Sequence, residues 1–263
     1  MDMRLRDTRA FVSGSTQGIG YAIAEALLRE GVTVTINGRD EARVRAAVER
    51  LEAVVPGADV RGLAADFADP RQVATLMDRL GDVDILVNNV GLFGLAAFEG
   101  IDDHEWQRYL DVNLMSGVRL SRHVLGGMLA RNRGRILFVS SESGVNVPAD
   151  MVHYGVTKAG MLALANGLSK LTKGSAVTVN TILGGPTYSD GVADTVGAIA
   201  RSQSMPVDDL KAAIIGGNHT SLLERFIDPQ EIAHLAVYLA SPLSSATNGA
   251  SLRADGGVLT SLL

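Results

Sequence analysis

Two residues with the chemistry of proton transfer, Tyr154 and Lys158, stand four residues apart at the end of the stretch 141–158. The apolar run that begins at about Met151 predicts a helix, and this spacing places both side chains on one helix face. A tyrosine with a pKa of about 10 is a poor acid or base at neutral pH, but a neighbouring cation lowers that pKa. The pair is therefore a candidate general acid and base.

The elements around this pair decide between catalysis and a merely solvated helix face, because tyrosine and lysine also meet at this spacing by chance. Ser141 lies at the carboxyl end of a strand-like run, GRILFVSSESG, that precedes the helix. A glycine-rich loop lies near the N-terminus. The presence of this hydroxyl residue and of this loop favours catalysis.

The glycine-rich loop, GSTQGIG, follows the strand-forming run RAFVSG and precedes an amphipathic segment that ends at Gly31. Strand, loop and helix in this order open a dinucleotide-binding unit, in which the helix amides and dipole bind the pyrophosphate. A simple flexible turn is the alternative, but a side chain at Gly14, Gly18 or Gly20 would obstruct the turn or the approach of a phosphate. The loop residues predicted to bind the cofactor are Gly14, Ser15, Thr16, Gln17, Gly18, Ile19 and Gly20.

The second strand, VTVTIN, ends at Asn37 and is followed by Gly38 and Arg39. A site for NAD usually has Asp or Glu at this strand end, and a carboxylate there would repel the extra phosphate of NADP. Arg39 suits a phosphate and can stack on adenine, so we predict NADP(H), with NAD(H) as the alternative. In the competing interpretation, Arg39 is only an exposed residue at the start of a helix capped by Asp40.

Strand and helix patterns alternate along the whole chain. They predict an α/β fold in which a doubly wound parallel sheet of Rossmann type has helices on both faces, in a single three-layer domain over residues 1–263. The fourth strand leads into Asn88, Asn89, Val90 and Gly91, at the edge where such sheets bind ligands. Right-handed crossovers then place the glycine loop, Asn89 and Ser141 along one edge.

Two further segments, residues 103–134 and 187–227, allow structural predictions. One long helix is predicted over residues 103–134, closed by Gly134, with Asn113 in its interior either as a buried hydrogen-bonding residue or as tolerated surface. Residues 187–227 have an irregular pattern with weak helical periodicity. Segments of this length commonly act as substrate lids, so we predict a lid there.

Composition limits the chemistry. The chain has 263 residues, no cysteine and a net charge of -5, with acidic and basic residues interspersed. Disulfides, thiolate metal sites and cysteine nucleophiles are therefore excluded, and no basic stripe indicates nucleic acid or an anionic membrane as a partner. We find no signal-peptide-like segment and no apolar run of the ~20 residues that a membrane span needs, so we expect a cytoplasmic protein. No metal is expected, since metal-ligand spacing is absent among His104, His123, His153, His219 and His234.

Several short motifs follow one another along the chain. They are the glycine loop at 14–20, the asparagine pair at 88–91, Asn113, Ser141, the tyrosine and lysine at 154–158, Asn180, and residues 228–232 and 253–257. With these motifs the chain resembles the short-chain dehydrogenase/reductase family over essentially its whole length. The resemblance implies an NAD(P)-dependent oxidoreductase that forms a homodimer or homotetramer through its two long helices.

The resemblance also implies a role for each catalytic residue. Tyr154 would protonate the carbonyl oxygen as hydride arrives from the nicotinamide, or deprotonate the alcohol in the reverse direction. Ser141 would hydrogen-bond that oxygen and stabilise its developing charge. Lys158 would bind the nicotinamide ribose while lowering the pKa of Tyr154. Asn113 would hold a water that connects Lys158 to solvent.

Further cofactor contacts follow from the same resemblance, with Asp66 and Asn89 at the adenine and ribose and the 185–187 turn at the nicotinamide. Gly184 stands where the family usually has proline, and Gln17 where it often has a basic residue, so the NADP(H) prediction depends mostly on Arg39. Besides the loop residues, the predicted cofactor-binding set is Asn37, Arg39, Asp66, Phe67, Asn89, Gly91, Tyr154, Lys158, Gly185 and Thr187.

We expect an NADP-preferring carbonyl reductase or alcohol dehydrogenase for a small to medium, largely uncharged substrate. A 3-oxoacyl thioester reductase is the alternative in the same class, and a protein that senses NADP without turnover is the alternative in a different class. Such a sensor would be expected to lose Tyr154 or Lys158, and both are present. The lid residues that would line an apolar pocket, or else only pack, are Tyr188, Val192, Val196, Ile199 and Met205.

Overall fold

The computed structural model describes residues 2–218 and 220–262. His219, one of the five histidines considered above, lies outside the described residues, as do the two ends of the predicted domain. Within the described part, seven strands form one sheet, and every neighbouring pair is parallel. The strands are β1 Arg9–Val12, β2 Thr33–Gly38, β3 Val60–Ala64, β4 Ile85–Asn88, β5 Gly134–Ser141, β6 Val177–Gly184 and β7 Ser251–Ala254.

Helices alternate with these strands as the sequence predicts. They are α1 Gly18–Arg29, α2 Glu41–Val54, α3 Pro70–Leu80, α4 Asp103–Tyr109, α5 Ser116–Ala130, α6 Val152–Leu171, α7 Asp190–Ser202, α8 Val207–Gly217 and α9 Pro229–Ala240. The apolar faces of α1, α2 and α9 cover one side of the sheet, where Leu27, Val44 and Ile232 are buried. Those of α3, α5 and α6 cover the other, where Leu76, Leu120 and Met161 are buried. The three-layer fold is confirmed.

The strand order β3-β2-β1-β4-β5-β6-β7 explains where a ligand can bind. The chain winds outward from β1 to β3 and then returns to place β4 on the other side of β1. Connections from the carboxyl ends of β1 and β4 therefore diverge to opposite faces, which leaves a crevice at that edge. Both β1 and β4 carry buried side chains on their two faces, as central parallel strands must.

The helices α2, α3 and α9 each begin directly after an aspartate that caps the first turn. The carboxylates of Asp40 and Asp69 accept backbone hydrogen bonds at the starts of α2 and α3. Asp228 and Glu231 form a capping box at the start of α9. These interactions satisfy amide groups that a helix start leaves without intrahelical partners.

The long helix predicted over residues 103–134 is wrong in two respects. A π-helical stretch, Leu110–Met115, separates α4 from α5. In addition, α5 ends at Ala130, and Gly134 is not its closing residue but the first residue of β5. Asn132 takes the left-handed conformation with φ 48° that closes the turn, a role for which asparagine substitutes for glycine.

The predicted lid segment is helical rather than irregular. Its ends are joined by a parallel bridge between Thr187 and Ile227. Between these ends, α7 and α8 pack on each other through a small core of Val196, Ala200 and Leu210. Tyr188, Val192 and Ile199 pack against that core, whereas Met205 is 38% exposed. Most of the residues considered for an apolar pocket therefore serve the packing of the lid, and the lid function itself stays a prediction.

Candidate active site

Ser141, Tyr154 and Lys158 lie together at the carboxyl edge of the sheet. β5 ends at Ser141, and α6, which packs against β5, carries the tyrosine and the lysine one turn apart. The Lys158 ammonium nitrogen lies 5.6 Å from the centre of the Tyr154 ring. Ser140, by contrast, donates its hydroxyl hydrogen to the Lys158 carbonyl oxygen at 3.0 Å. That contact supports the assignment of Ser141, rather than Ser140, to the site.

The pKa of Tyr154 moves in the direction opposite to the one the sequence suggested. Burial raises the pKa of its phenol to about 12, and a hydrogen bond with Ser141 opposes that rise only in part. The negative charge of Glu142 raises the pKa further. The predicted lowering of this pKa by Lys158 is therefore wrong. Desolvation of the phenolate outweighs the attraction of a cation that is directed elsewhere.

Lys158 is buried, and its ammonium group donates a hydrogen bond to the Val139 carbonyl oxygen at 2.9 Å. This contact turns the ammonium toward β5 instead of the phenol. Burial lowers the pKa of Lys158 to about 8, because a dry environment penalises the charged form. A large part of the lysine population can thus lose its proton within the range in which enzymes are assayed.

Asn113 occupies the interior of the π-helical stretch, where its side chain is completely buried. Its amide nitrogen donates to the Leu92 carbonyl and to the Thr157 hydroxyl, each at 3.0 Å, and its oxygen accepts from the Leu92 amide at 2.7 Å. The asparagine thus joins the segment after β4 to α6. Of the two interpretations that the sequence left open, the buried hydrogen-bonding residue is confirmed. π-Helical turns of this kind often occur at functional sites.

Glu142 is a site residue that the sequence reasoning missed. Its carboxylate accepts a hydrogen bond from the Ser141 hydroxyl at 2.9 Å, while the Ser143 amide donates to the same hydroxyl oxygen at 3.1 Å. Burial raises the pKa of Glu142 above its usual range, and hydrogen bonds with Ser143 and Ser141 oppose that rise. The available signal was its position directly after Ser141.

The glycine-rich loop has the shape that a phosphate needs. Gly14 has φ 62°, in the left-handed region, and a side chain there would press on the backbone of Val90. At Gly20, the first turn of α1 lies so close to the Asn89 amide and the Gly14 carbonyl that no side chain fits. The loop and the N-terminus of α1 therefore form a cradle of backbone amides, which fits a dinucleotide pyrophosphate.

A cleft of about 550 Å³ extends from this loop across the ends of β2, β3 and β4. Arg39, which the sequence singled out, lines it and is exposed. Arg43, which the sequence reasoning missed, is a second exposed guanidinium in the lining. The full lining is Gly14, Thr16, Gln17, Asn37, Gly38, Arg39, Asp40, Arg43, Ala65, Asp66, Phe67, Ala68, Val90, Gly91, Leu92, Arg108 and Val112.

Several predicted cofactor residues have side chains that hold the protein itself together. The Ser15 hydroxyl donates to the Val12 carbonyl at 2.6 Å, and Asn37 donates to the Leu63 carbonyl at 3.0 Å. The Phe67 ring belongs to the second apolar core. At these positions only the backbone and one face of the side chain are left for a ligand, and their contact with a cofactor stays a prediction.

The remaining predicted residues connect the glycine loop to the catalytic edge. Asn89 donates two hydrogen bonds, to the carbonyls of Ser13 and Gly14, and so fixes the loop against β4. Gly91 lies beside Asn113 and the Lys158 ammonium. On the far side of the edge, the Thr187 hydroxyl donates to the Gly185 carbonyl at 2.9 Å, which shapes the turn at the start of the lid.

The lid contacts the glycine loop directly. Asp190, the first residue of α7, accepts a hydrogen bond from the Gly18 amide at 2.6 Å. Ser189 lies over the same glycine. A carboxylate thus binds one of the amide groups at the start of α1, where an anionic ligand would bind. Sequence reasoning could not have found this contact, because the two residues are 172 positions apart.

Other candidate sites are weaker. No cluster of three or more histidine, cysteine or acidic side chains able to hold a metal occurs among residues 2–218 and 220–262. No helix in the described part of the chain is long and apolar enough to cross a membrane. A larger cavity, of about 830 Å³, lies between α8 and the segment that leads to Asp228; Tyr188 of the lid lines it, but no predicted catalytic or cofactor-binding residue does. The catalytic edge therefore remains the candidate active site.

Comparison with known proteins agrees with this geometry. The sequence pattern of a family described as short chain dehydrogenase matches residues 8–198. The chain is 40% identical over 266 residues to the oxidoreductase YvrD of Bacillus subtilis (strain 168), with 100% of both chains covered. It is 32% identical over 260 residues to the 3-oxoacyl-acyl-carrier-protein reductase FabG of Vibrio harveyi, covering 97% of this chain and 99% of that protein.

Solved structures give the same result. L-Sorbose reductase from Gluconobacter frateurii, complexed with NADPH and L-sorbose, matches with a TM-score of 0.94 at 28% identity, and 100% of both chains is covered. The agreement extends beyond residue 198, where the family pattern ends, through the rest of the lid segment and α9.

Proposed function

The chain belongs to the short chain dehydrogenase family and is an oxidoreductase of alcohol and carbonyl groups, and from this premise we propose that it reduces a small-molecule ketone with NADP(H). The observation that carries the proposal is the placement of Ser141, Tyr154 and Lys158 at one sheet edge, where the Lys158 ammonium lies beside Gly91, a residue that lines the cleft from the glycine loop. The same residues would run the reverse reaction, alcohol oxidation.

In the proposed reaction, the catalytic side chains act on one atom of the substrate, its carbonyl oxygen. The Tyr154 phenol, with its pKa raised to about 12, keeps its proton at neutral pH and can donate it to the oxygen of a bound carbonyl. The Ser141 hydroxyl would turn its hydrogen from the Glu142 carboxylate to the same substrate oxygen and stabilise its developing negative charge. When bound, the nicotinamide would supply hydride to the carbonyl carbon.

Lys158 serves the phenol rather than the substrate. Once a cofactor ribose offers hydroxyl groups, the ammonium can exchange its contact with the Val139 carbonyl for them and approach Tyr154. Its charge then stabilises the phenolate that remains after proton donation. Asn113 binds the Leu92 carbonyl on one side and the Thr157 hydroxyl on the other, which holds the π-helical stretch against α6.

The choice of NADP(H) is supported by the charges at the adenosine end of the cleft. Arg39 and Arg43 present two guanidinium groups there, and no carboxylate ends β2. The carboxylate of Asp40 lies nearby, but it accepts a hydrogen bond from the Arg43 amide and stabilises the start of α2. The L-sorbose reductase that shares this fold is complexed with NADPH.

Substitution of Arg39 by serine is expected to weaken NADPH binding about 10- to 100-fold, because a charge-assisted contact to the 2′-phosphate contributes about 1.5–3 kcal/mol. NADH binding should change less than about threefold, since NADH lacks that phosphate. Titration of each cofactor by its fluorescence measures both affinities.

Arg45→Ser is the matched control for this prediction, because Arg45 is exposed on the same helix but does not line the cleft. Equal loss of NADPH affinity in the Arg45 and Arg39 variants would show a general charge effect. Equal loss of NADPH and NADH affinity in Arg39→Ser would contradict the phosphate assignment.

Substitution of Asp190 by asparagine is expected to tighten NADPH binding about tenfold. The carboxylate competes with the pyrophosphate for the Gly18 amide and repels it, and asparagine removes the charge at nearly constant shape. Asp194→Asn, one turn further along α7 and exposed, is the control. Weaker binding of NADPH by Asp190→Asn would mean that this contact helps to hold the cofactor.

The class of substrate is tested by the initial rate of NADPH oxidation with ketones, aldehydes and 3-oxoacyl thioesters. Turnover of simple carbonyl compounds well above the thioesters supports the proposal. The opposite order would favour a 3-oxoacyl thioester reductase, for which the likeness to FabG of Vibrio harveyi is the specific support. Binding of NADPH without turnover of any compound would favour the sensor.

A further inference from the structure

Glu142 is a partly buried acidic group that the proposed proton transfer does not use. It begins the short helical turn Glu142–Gly144, directly after the serine of the catalytic edge. Among the ion pairs of residues 2–218 and 220–262, none involves Glu142. A carboxylate withdrawn from water without a cation is costly unless hydrogen-bond donors satisfy its oxygens.

The protein supplies only part of those donors. The Ser141 hydroxyl donates to one carboxylate oxygen at 2.9 Å, and a serine side chain, Ser143, contributes a further hydrogen bond. The neighbouring charge that acts on Glu142 is another carboxylate, Asp255. Asp255 is itself occupied by the amides of Gly257 and Leu259, at 3.0 Å each. A carboxylate has about four acceptor positions, so Glu142 retains capacity for a ligand.

The location of the free acceptor positions on the Glu142 carboxylate shows which substrate group could donate a hydrogen bond to them. Ser141 must lie at hydrogen-bond distance from the reacting oxygen, about 2.7 Å for two oxygens. The Glu142 oxygen lies 2.9 Å beyond the Ser141 hydroxyl oxygen. It is therefore within about 5.6 Å of the reacting oxygen. A hydroxyl on the carbon next to the carbonyl lies within its reach.

On these contacts, we propose that Glu142 binds the hydroxyl group adjacent to the reacting carbonyl, so that the enzyme selects hydroxyketones and the corresponding diols or polyols. This inference rests on the proposed function and names its substrate class. Two adjacent carboxylates without a cation disfavour anionic substrates such as oxo acids. A site that hydrogen-bonds a substrate hydroxyl rejects an analogue without it, because the protein group is left unpaired.

A neutral hydroxyl fits better than an ammonium group. Burial raises the pKa of Glu142, which shows that its surroundings disfavour a full charge. Its present partner is also a neutral hydroxyl, that of Ser141. The Lys158 ammonium, 5.6 Å from the centre of the Tyr154 ring, would repel a second cation.

Three ketones of nearly equal size separate these possibilities, namely hydroxyacetone, 2-butanone and aminoacetone, which differ only in the group next to the carbonyl. With NADPH bound, the wild-type enzyme is expected to prefer hydroxyacetone over 2-butanone by at least tenfold in kcat/KM. Glu142→Ala should lower kcat/KM for hydroxyacetone about 10- to 100-fold and for 2-butanone less than threefold. Glu142→Gln keeps an acceptor oxygen, so its kcat/KM for hydroxyacetone should lie between those of the wild type and Glu142→Ala.

Binding provides a second readout that does not require turnover. Titration of 1,2-propanediol, the product of hydroxyacetone reduction, into the NADPH-bound enzyme measures its affinity by calorimetry. Glu142→Ala should weaken this affinity about tenfold or more, and Asp150→Asn, an exposed carboxylate in the same segment, should not change it.

The remaining outcomes overturn one idea or both. Equal loss of activity toward hydroxyacetone and 2-butanone in Glu142→Ala would mean that Glu142 only orients Ser141, and would overturn this inference alone. A wild-type preference for aminoacetone would overturn it as well. Absence of turnover with all three ketones, together with the wider panel, would overturn the proposed function and this inference with it.

Discussion

Phenylalanine in place of Tyr154 is expected to lower ketone reduction about 1,000-fold, the usual magnitude for loss of a general acid. The substitution removes only the phenol oxygen, so the packing of α6 against β5 should persist. Affinity for NADPH should change less than about twofold, because we place the cofactor phosphates at the glycine loop and not at the phenol. Steady-state rates and fluorescence titration measure the two quantities on the same preparations.

Tyr238→Phe, at a partly exposed tyrosine of α9, is the control for this experiment and should keep full activity. A sensor without turnover would show no difference between wild type and Tyr154→Phe. An active Tyr154→Phe enzyme with a rate within about fivefold of wild type would require another proton donor, and would reject the assignment of Tyr154 as general acid.

Methionine in place of Lys158 is expected to have the second largest effect, and to act mainly on alcohol oxidation. Oxidation requires the phenolate of Tyr154, whose pKa of about 12 makes that form scarce at neutral pH. Once the ammonium has left the Val139 carbonyl, a cation about 5–6 Å from the phenolate would stabilise it by about 3 kcal/mol at an effective dielectric constant of about 20. Its loss should lower the oxidation rate at saturating NADP about 100-fold.

The rate difference between wild type and Lys158→Met should depend on pH, in a direction that the pKa of Lys158 sets. Lys158 has a pKa lowered to about 8, so the wild-type enzyme loses the lysine charge as pH rises through that value. The difference between wild type and Lys158→Met should therefore be largest near pH 7 and should narrow between pH 8 and pH 10. A constant ratio across this range would indicate that Lys158 acts only by holding the ribose.

Much of the fold could be predicted because its signals are local. The buried strands of a parallel sheet have continuous apolar sequences. The starts of three helices are marked by the capping side chains of Asp40, Asp69 and Asp228. The long helix was mispredicted because the π-helical stretch Leu110–Met115 has only 6 residues, too few to interrupt the helical apolar pattern on either side of it. The lid helices were missed because α7 and α8 bury their faces mainly against each other.

The site was predictable in its residues but not in its electrostatics. Tyr154, Lys158 and Ser141 lie where motif spacing places them, because the helix and the strand that carry them are regular. The pKa of Tyr154 depends on burial and on where the Lys158 ammonium is directed, and neither is encoded by spacing. Asp190 and Gly18 meet only through the fold, so that contact has no sequence signal.

Transfer of deuterium from C4 of the nicotinamide of NADPH to the product tests the central claim most directly. With hydroxyacetone as substrate and NADPH deuterated at the transferring position, mass spectrometry should find one deuterium on the new carbinol carbon of each product molecule. Transfer should be slower with NADH deuterated at the same position, and about 1,000-fold slower in Tyr154→Phe. NADPH oxidation that leaves the product unlabelled, or that proceeds equally well without a ketone, would contradict direct hydride transfer at this site.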